Sequence, residues 1–307
     1  MKESKAPVVV FAYNRADKLE QCIQSLEACV GASETTLYII CDGPKENSAS
    51  KVEEVRRYVE SYTPSSVFQK VIVEKKDKNV GLAGSVIDGV SRVLDKHGKV
   101  IVVEDDLIVK PRFLLYMNGA LDYYEKRPEY GSISAFTYPL KELKDYREDV
   151  YATPKAECWG WATWKDRWND ALWADTDFQT YLNDRKTRVS FESLEAGLDR
   201  LMVLQYYDRI SSWAVRWIYY LYCNNRLTVY PRNSLVTNEG FDGSGTHGIG
   251  FVKDINDRND HINGDPGTEY RWKELKADPV LSKAYARFPR RFLPLYWIER
   301  LRFLNKK

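Results

Sequence analysis

Four short apolar runs, rich in Val and Ile, open near residues 7, 36, 68 and 99: PVVVFAY (7–13), TLYIICDG (36–43), FQKVIVEK (68–75) and KVIVV (99–103). They recur at about 30 residues, the length of a strand–helix–strand unit. The gaps between them keep helical spacing. Leu19, Cys22, Ile23 and Leu26 mark the first helix, Val52, Val55, Val59 and Tyr62 the second, and Val86, Val90, Val93 and Leu94 the third. Crossovers of this kind are right-handed and build a mostly parallel sheet covered by helices. The rhythm therefore predicts an α/β, Rossmann-like architecture.

Past Pro111 the rhythm breaks. Phe113, Tyr116, Met117, Ala120, Leu121 and Tyr124 predict a helix, GSISAF (131–136) a strand, and residues 138–160 a long connection. Trp161, Trp164 and Trp168 fall at i, i+3, i+7 and predict a helix face, mostly core. Helices are expected across 190–208 and 212–224, a strand at RLTVYP (226–231), and a Gly-rich loop at NEGFDGSGTHGIG (238–250). There is no internal repeat, and no linker marks independent domains. At 307 residues and 44% hydrophobic, the chain can bury a large core.

Bulk properties exclude several classes. A net charge of +2 gives no field for nucleic acid. The five cysteines, Cys22, Cys29, Cys41, Cys158 and Cys223, are odd in number and form no CxxC pair. They read as buried thiols in a reducing compartment. The N-terminus lacks a charged-then-apolar leader pattern, and no apolar run is long enough to span a bilayer. The expected location is cytoplasmic.

The fourth run ends in an acidic cluster, VIVVEDDLIVKP (100–111). Glu104, Asp105 and Asp106 repel one another unless a cation offsets them. They sit at the C-terminal end of a strand, where open α/β sheets bind ligands. Carboxylates are hard ligands, and one or two of them plus substrate phosphates is the usual way to hold Mg²⁺ or Mn²⁺. A phosphotransferase, a nucleotidyltransferase and a nucleotide-sugar transferase all fit. AYNR (12–15) after the first strand is not GxGxxG, and no GxxxxGK[ST] occurs, so ordinary dinucleotide and P-loop folds are disfavoured. Arg15 falls at a helix start, where anions bind. Asp42 follows the second strand and can accept from a base N–H or ribose hydroxyls. Lys78 and Asn79 follow the third strand, as rim residues or a bare turn.

VVVFAYNR, IICDGP, NVGLAGSVIDGV and VIVVEDDLIV, in this order, resemble the nucleotide-sugar-binding half of GT-A glycosyltransferases. The likeness is to the N-acetylglucosaminyltransferase I type and to bacterial polysaccharide-synthesis, family 2-like, members. CWGWATWKDRW, SSWAVRW and VTNEGFDGSGTH extend it to about residue 250. The resemblance implies a GT-A (nucleotide-diphospho-sugar transferase) fold with a helical C-terminal extension. Residues 1–135 would bind the nucleotide sugar, 136–265 the acceptor, and 266–307 would form a basic, aromatic, helical tail. It implies a metal-dependent, UDP-sugar-using and inverting transferase, with Mn²⁺ or Mg²⁺ as cofactor. Arg15 would meet the diphosphate or nucleotide region, Asp42 the base and Glu104 the ribose. Asp105 would meet the donor sugar and Asp106 the metal. Asn79 joins the nucleotide set. The loop GFDGSGTHG (240–248) would close over the diphosphate, with Ser244 and Thr246 donating and His247 on phosphate or metal. Trp159 precedes the Trp helix and suits stacking on a sugar.

An inverting transferase needs a carboxylate base. The family's Asp would fall within SSWAVRW, which holds Ala214 and Val215 instead. Asp242 is the leading substitute, followed by Asp208, Glu157 and Glu239. The tail, RFPRRFLPLYWIERLRFLNKK (287–307), suits peripheral contact with an anionic membrane carrying a lipid-linked acceptor. A packed helix or a dimer contact fits it equally. The competing readings are a nucleotidyltransferase making nucleotide sugars and a non-catalytic nucleotide- or carbohydrate-binding module.

Overall fold

The computed structural model describes residues 5–63, 66–168, 178–240 and 269–289. β1 (Val8–Ala12), β2 (Thr36–Cys41), β3 (Lys70–Lys75) and β4 (Lys99–Glu104) alternate with α1 (Ala16–Glu27), α2 (Ala49–Tyr62) and α3 (Gly81–His97). Then come β5 (Leu107–Val109), α4 (Phe113–Tyr124), β6 (Tyr130–Ser134), β7 (Val150–Thr153) and β8 (Trp161–Trp164). The rest comprises α5 (Phe178–Asn183), α6 (Arg185–Glu192), α7 (Leu198–Tyr206), α8 (Trp213–Cys223), β9 (Leu227–Pro231), β10 (Val236–Asn238) and α9 (Pro279–Arg287).

Eight strands form one sheet in the order β3-β2-β1-β4-β8-β6-β9-β7. β3, β2, β1 and β4 run parallel, β8 is antiparallel to β4 and β6, β9 is parallel to β6, and β7 closes the far edge antiparallel. The chain starts in the middle, winds out to β3, then returns to β4 on the other side of β1. The gap between β1 and β4 is thus a topological switch point, the usual ligand crevice of such sheets.

The parallel strands read as unbroken apolar runs because both faces are covered. On β1, Val8, Val10 and Ala12 enter one core while Val9 and Phe11 enter the other. On β4, Ile101 and Val103 split from Val100 and Val102 in the same way. α1, α2 and α4 cover the first face; α3 and α8 cover the second.

Four expectations are corrected. Trp161 and Trp164 lie on strand β8, not on a helix, and Trp168 follows in a turn. Strand residues three apart point to opposite faces, so Trp164 joins one core while Trp161 and Trp168 join the other. Residues 138–160 are not a plain connection, since β7 lies within them. The helix expected across 190–208 is two, α6 and α7, broken at Gly197 with φ +97°. Among the cysteines, Cys22, Cys29 and Cys41 are buried, but Cys223 is exposed. Asp278 caps α9, accepting from the Val280 and Leu281 amides at 2.9 Å, with Pro279 in the first turn. Residues 290–307 of the tail lie outside the described residues. Among the described residues no helix is long and apolar enough to cross a membrane.

Candidate active site

The register pairs Phe11 of β1 with Glu104 of β4. The two strands therefore end side by side, and Arg15, the N-cap residue of α1, meets the acidic turn after β4. Its Nη2 donates to Asp105 Oδ1 and, at 2.9 Å, to Asp106 Oδ2. Asp105 is only 4% exposed and Asp106 9%. Burial, then repulsion from Asp106 and Asp105, pushes the Glu104 carboxyl up to about 8. Burial also lifts Asp105, to about 6, against the pull of Arg15. Burial disfavours the Arg15 charge as well, but the two aspartates outweigh it and hold its pKa above the usual range. One guanidinium is thus too little positive charge for three acids.

The chain returns to this turn from far along the sequence. β10 pairs with β5, Asn238 opposite Leu107. The Glu239 amide then donates to the Asp106 carbonyl at 2.8 Å, and the Gly240 amide donates to Asn238 Oδ1 at 2.8 Å. Among the described residues Asp106 Oδ1 stays buried with no hydrogen-bond partner. A bare, buried carboxylate oxygen beside surplus negative charge fits a hard divalent cation. No cluster of three potential ligand side chains occurs among the described residues.

Asp42 has a different local task. Its Oδ1 accepts from the Gly43 and Val80 amides at 2.8 and 3.0 Å. Its Oδ2 accepts from Asn79 Nδ2 and the Gly81 amide at 3.0 and 2.9 Å. Asn79 Nδ2 also donates to the Gly43 carbonyl at 2.9 Å. The carboxylate's roughly four acceptor sites are filled, fastening the end of β2 to the start of α3. A base contact by Asp42 would have to displace one of these donors, and Asn79 serves first as the latch.

The acids considered as bases separate clearly. Glu157 is buried and accepts from Lys155 Nζ at 2.7 Å, Tyr285 Oη at 2.7 Å and the Cys158 amide at 3.1 Å. It is the anchor of an ion cluster. Asp208 is exposed, in left-handed backbone (φ 52°) just past α7, a conformation Asp tolerates at helix ends. Glu239 is exposed, and its backbone rests on Asp106. Asp242, Ser244, Thr246 and His247 lie outside the described residues. Ala214 sits in the first turn of α8, next to buried Trp213 and Val215. Trp159 is half-buried, packed edge-on against Phe136 with centroids 4.7 Å apart. The sequence reading missed Lys155, Glu195 and Tyr285, for which only the Lys-x-Glu pair at 155–157 offered a signal, and it placed Asn238 and Gly240 in the Gly-rich loop without giving either a role of its own.

The family model described as glycosyl transferase family 2 matches residues 8–181. An Arabidopsis thaliana alpha-1,3-mannosyl-glycoprotein 2-beta-N-acetylglucosaminyltransferase is 26% identical over 187 residues, covering 55% of this chain. The chain spans about two fifths, 41%, of that relative's length. The mannosyltransferase PcManGT of Pyrobaculum calidifontis, solved in complex with GDP-Man and Mn²⁺, is 16% identical with a TM-score of 0.37, over 53% of this chain and 45% of that one. S. aureus TarS is 14% identical with a TM-score of 0.34, over 74% of this chain and 35% of its own.

Proposed function

The chain belongs to glycosyl transferase family 2, and from that premise we propose that it transfers a sugar from a nucleotide-sugar donor to a saccharide acceptor. The observation that carries the reading is the acidic turn at the β1–β4 switch point, with Asp106 Oδ1 buried and unpaired. We take the donor to be a UDP-sugar and the ion Mn²⁺ or Mg²⁺. Asp106 would hold the ion, which supplies charge to stabilise the departing nucleoside diphosphate. Arg15 adds a fixed positive charge at the same place, suited to phosphate oxygens. Glu104 faces the ribose and Asp105 the donor sugar in this reading. The exposed part of Trp159 stacks on a sugar ring.

The reading keeps the donor half at 1–135, the acceptor half at 136–265 and the tail at 266–307. Transfer with inversion needs a carboxylate to take the acceptor proton. Glu157 is saturated by its partners, so the role falls to Asp242, with Glu239 next. The acceptor is a glycan or lipid-linked saccharide of surface polysaccharide assembly, and the basic tail suits a peripheral membrane contact.

The test is nucleoside diphosphate release from a panel of nucleotide sugars, with Mn²⁺ or EDTA, for wild type and Asp106→Ala. Metal-dependent release from one donor, lost in the variant, supports the reading. Binding without release, even with acceptor mixtures present, would turn it toward a non-catalytic module. No binding of any nucleotide would sink it.

A further inference from the structure

The buried carboxylate of Asp106 is oriented by two contacts on one of its oxygens. Arg15 Nη2 donates to Oδ2 at 2.9 Å, and the chain leaving β10 passes against the same atom at Gly240. A Cβ placed on Gly240 would lie 2.1 Å from Asp106 Oδ2, 2.8 Å from its Cγ and 3.1 Å from Asn238 Oδ1. No real side chain tolerates the first two of these contacts, and a carboxylate gripped by Arg15 has little room to retreat. The φ of Gly240 lies outside the left-handed region, so the position requires glycine for space and not for backbone freedom. The turn that brings it there is fixed by the Asn238 side chain, which accepts from the Gly240 amide at 2.8 Å. It is fixed as well by the Glu239 amide on the Asp106 carbonyl at 2.8 Å. With Oδ2 covered on two sides, Oδ1 is the oxygen left without a donor.

We infer that Gly240 is a positioning residue for the ion site: its missing side chain lets the Asn238–Gly240 turn seat the Asp106 carboxylate with Oδ1 bare. The inference rests on the reading of Asp106 as the ion holder. It adds a requirement on a residue that neither touches the ion nor carries a charge.

The experiment is Mn²⁺ titration, followed by the electron paramagnetic resonance of free Mn²⁺, with and without UDP. It uses wild type, Gly240→Ala, Asn238→Ala and Asp106→Asn, with thermal midpoints measured in EDTA. Gly240→Ala is expected to weaken Mn²⁺ binding by about 10–100-fold, the usual cost of disturbing a partner behind a metal ligand, with the midpoint in EDTA little changed. Asn238→Ala adds no atoms and keeps the fold testable if the first variant does not fold. It is expected to weaken Mn²⁺ by about 3–10-fold, at or below the lower end of that range. Equal Mn²⁺ affinity in wild type and both variants would overturn the inference while leaving Asp106 as ion holder. Parallel loss of Mn²⁺ affinity and thermal midpoint would also overturn it, making Gly240 merely structural. Absence of Mn²⁺ binding by wild type, even with UDP, would remove the ion-site reading and the inference with it.

Discussion

Two charged clusters each set one base against two carboxylates, yet they are built to opposite ends. Around Lys155, Nζ lies 2.7 Å from Glu157 and 2.9 Å from Glu195, Tyr285 Oη caps Glu157 at 2.7 Å, and the lysine also sits over the Tyr285 ring. Burial opposes the ammonium charge, but Glu157 and then Glu195 outweigh it and hold Lys155 well above its usual range. The Arg15 cluster has one more acid, Glu104, and leaves a buried oxygen on Asp106 unmatched. The thiol of Cys158 senses both groups: burial and Glu157 raise its pKa most, and Glu104 adds to them. Glu195 Oε2 is ion-paired with Lys155 but, like Asp106 Oδ1, has no hydrogen bond among the described residues, so the difference lies in the third acid of the Arg15 cluster. The Lys155 cluster braces the fold, and in the proposed reading the acidic turn takes a ligand.

That contrast can be broken in order of expected effect. Lys155→Met strands two carboxylates in the core and should cost about 3–5 kcal/mol in urea denaturation. A small loss would mean that the cluster is not a brace. Asp106→Asn should leave stability intact, because it relieves repulsion on Glu104 and Asp105. It should lower donor turnover by on the order of 100-fold or more, the scale of losing several kcal/mol of metal-derived stabilisation. A stability loss without loss of turnover would reverse the assignment of the two clusters.

The third prediction concerns pH. Glu104 and Asp105 have folded-state values of about 8 and about 6, above their ordinary 4.5 and 3.8. The folded state therefore binds more protons than the unfolded chain across this window. Their protonated forms contribute stability that is full below the ordinary values and lost as pH rises through 6 and then 8. The groups acting on them are Arg15, Asp106, the Cys22 thiol, which donates to the Glu104 carbonyl at 3.6 Å, and the Cys158 and Cys41 thiols. Metal-free protein should lose denaturation midpoint between pH 5 and 8, as its pKa values dictate. Mn²⁺ should restore more at the upper end, and Asp106→Asn should flatten the slope. A midpoint independent of pH would contradict the buried charge surplus. The smallest effect is expected at Asp42, where Asp42→Ala removes the latch between β2 and α3 and should cost about 1 kcal/mol, as for a helix cap. Thermal denaturation checks it, and nucleotide affinity in the same variant tests the base contact.

Much of the first half of the fold is legible from residues alone. β1 to β4 begin within two residues of the apolar runs, because strands covered on both faces cannot hide their composition. The acidic turn is legible for the complementary reason, since three charges ending such a run have no structural excuse. The later strands are not. β5 and β10 are three residues long and exist through each other, across more than a hundred residues of chain. β7 and β8 are four-residue strands whose partners also lie far away. Trp161, Trp164 and Trp168 mimic a helical stripe because bulky residues feeding two cores fall three and four apart by coincidence of period. Asp42 shows the limit at the site: an acid after a strand reads alike whether it faces a ligand or ties down the next helix.

The indole cluster behind β8 gives the molecule an optical character of its own. Trp161 lies 5.6, 5.1 and 5.8 Å by ring centroid from Trp168, Trp213 and Trp217. Transition dipoles this close couple, so the circular dichroism should carry an indole exciton signature from this core. Trp159, on the other side of Gly160, stands half-buried and apart from that stack. Light absorbed by the stack thus reports on folding, while the emission of Trp159 would report on a sugar stacked beside it if the proposed role holds.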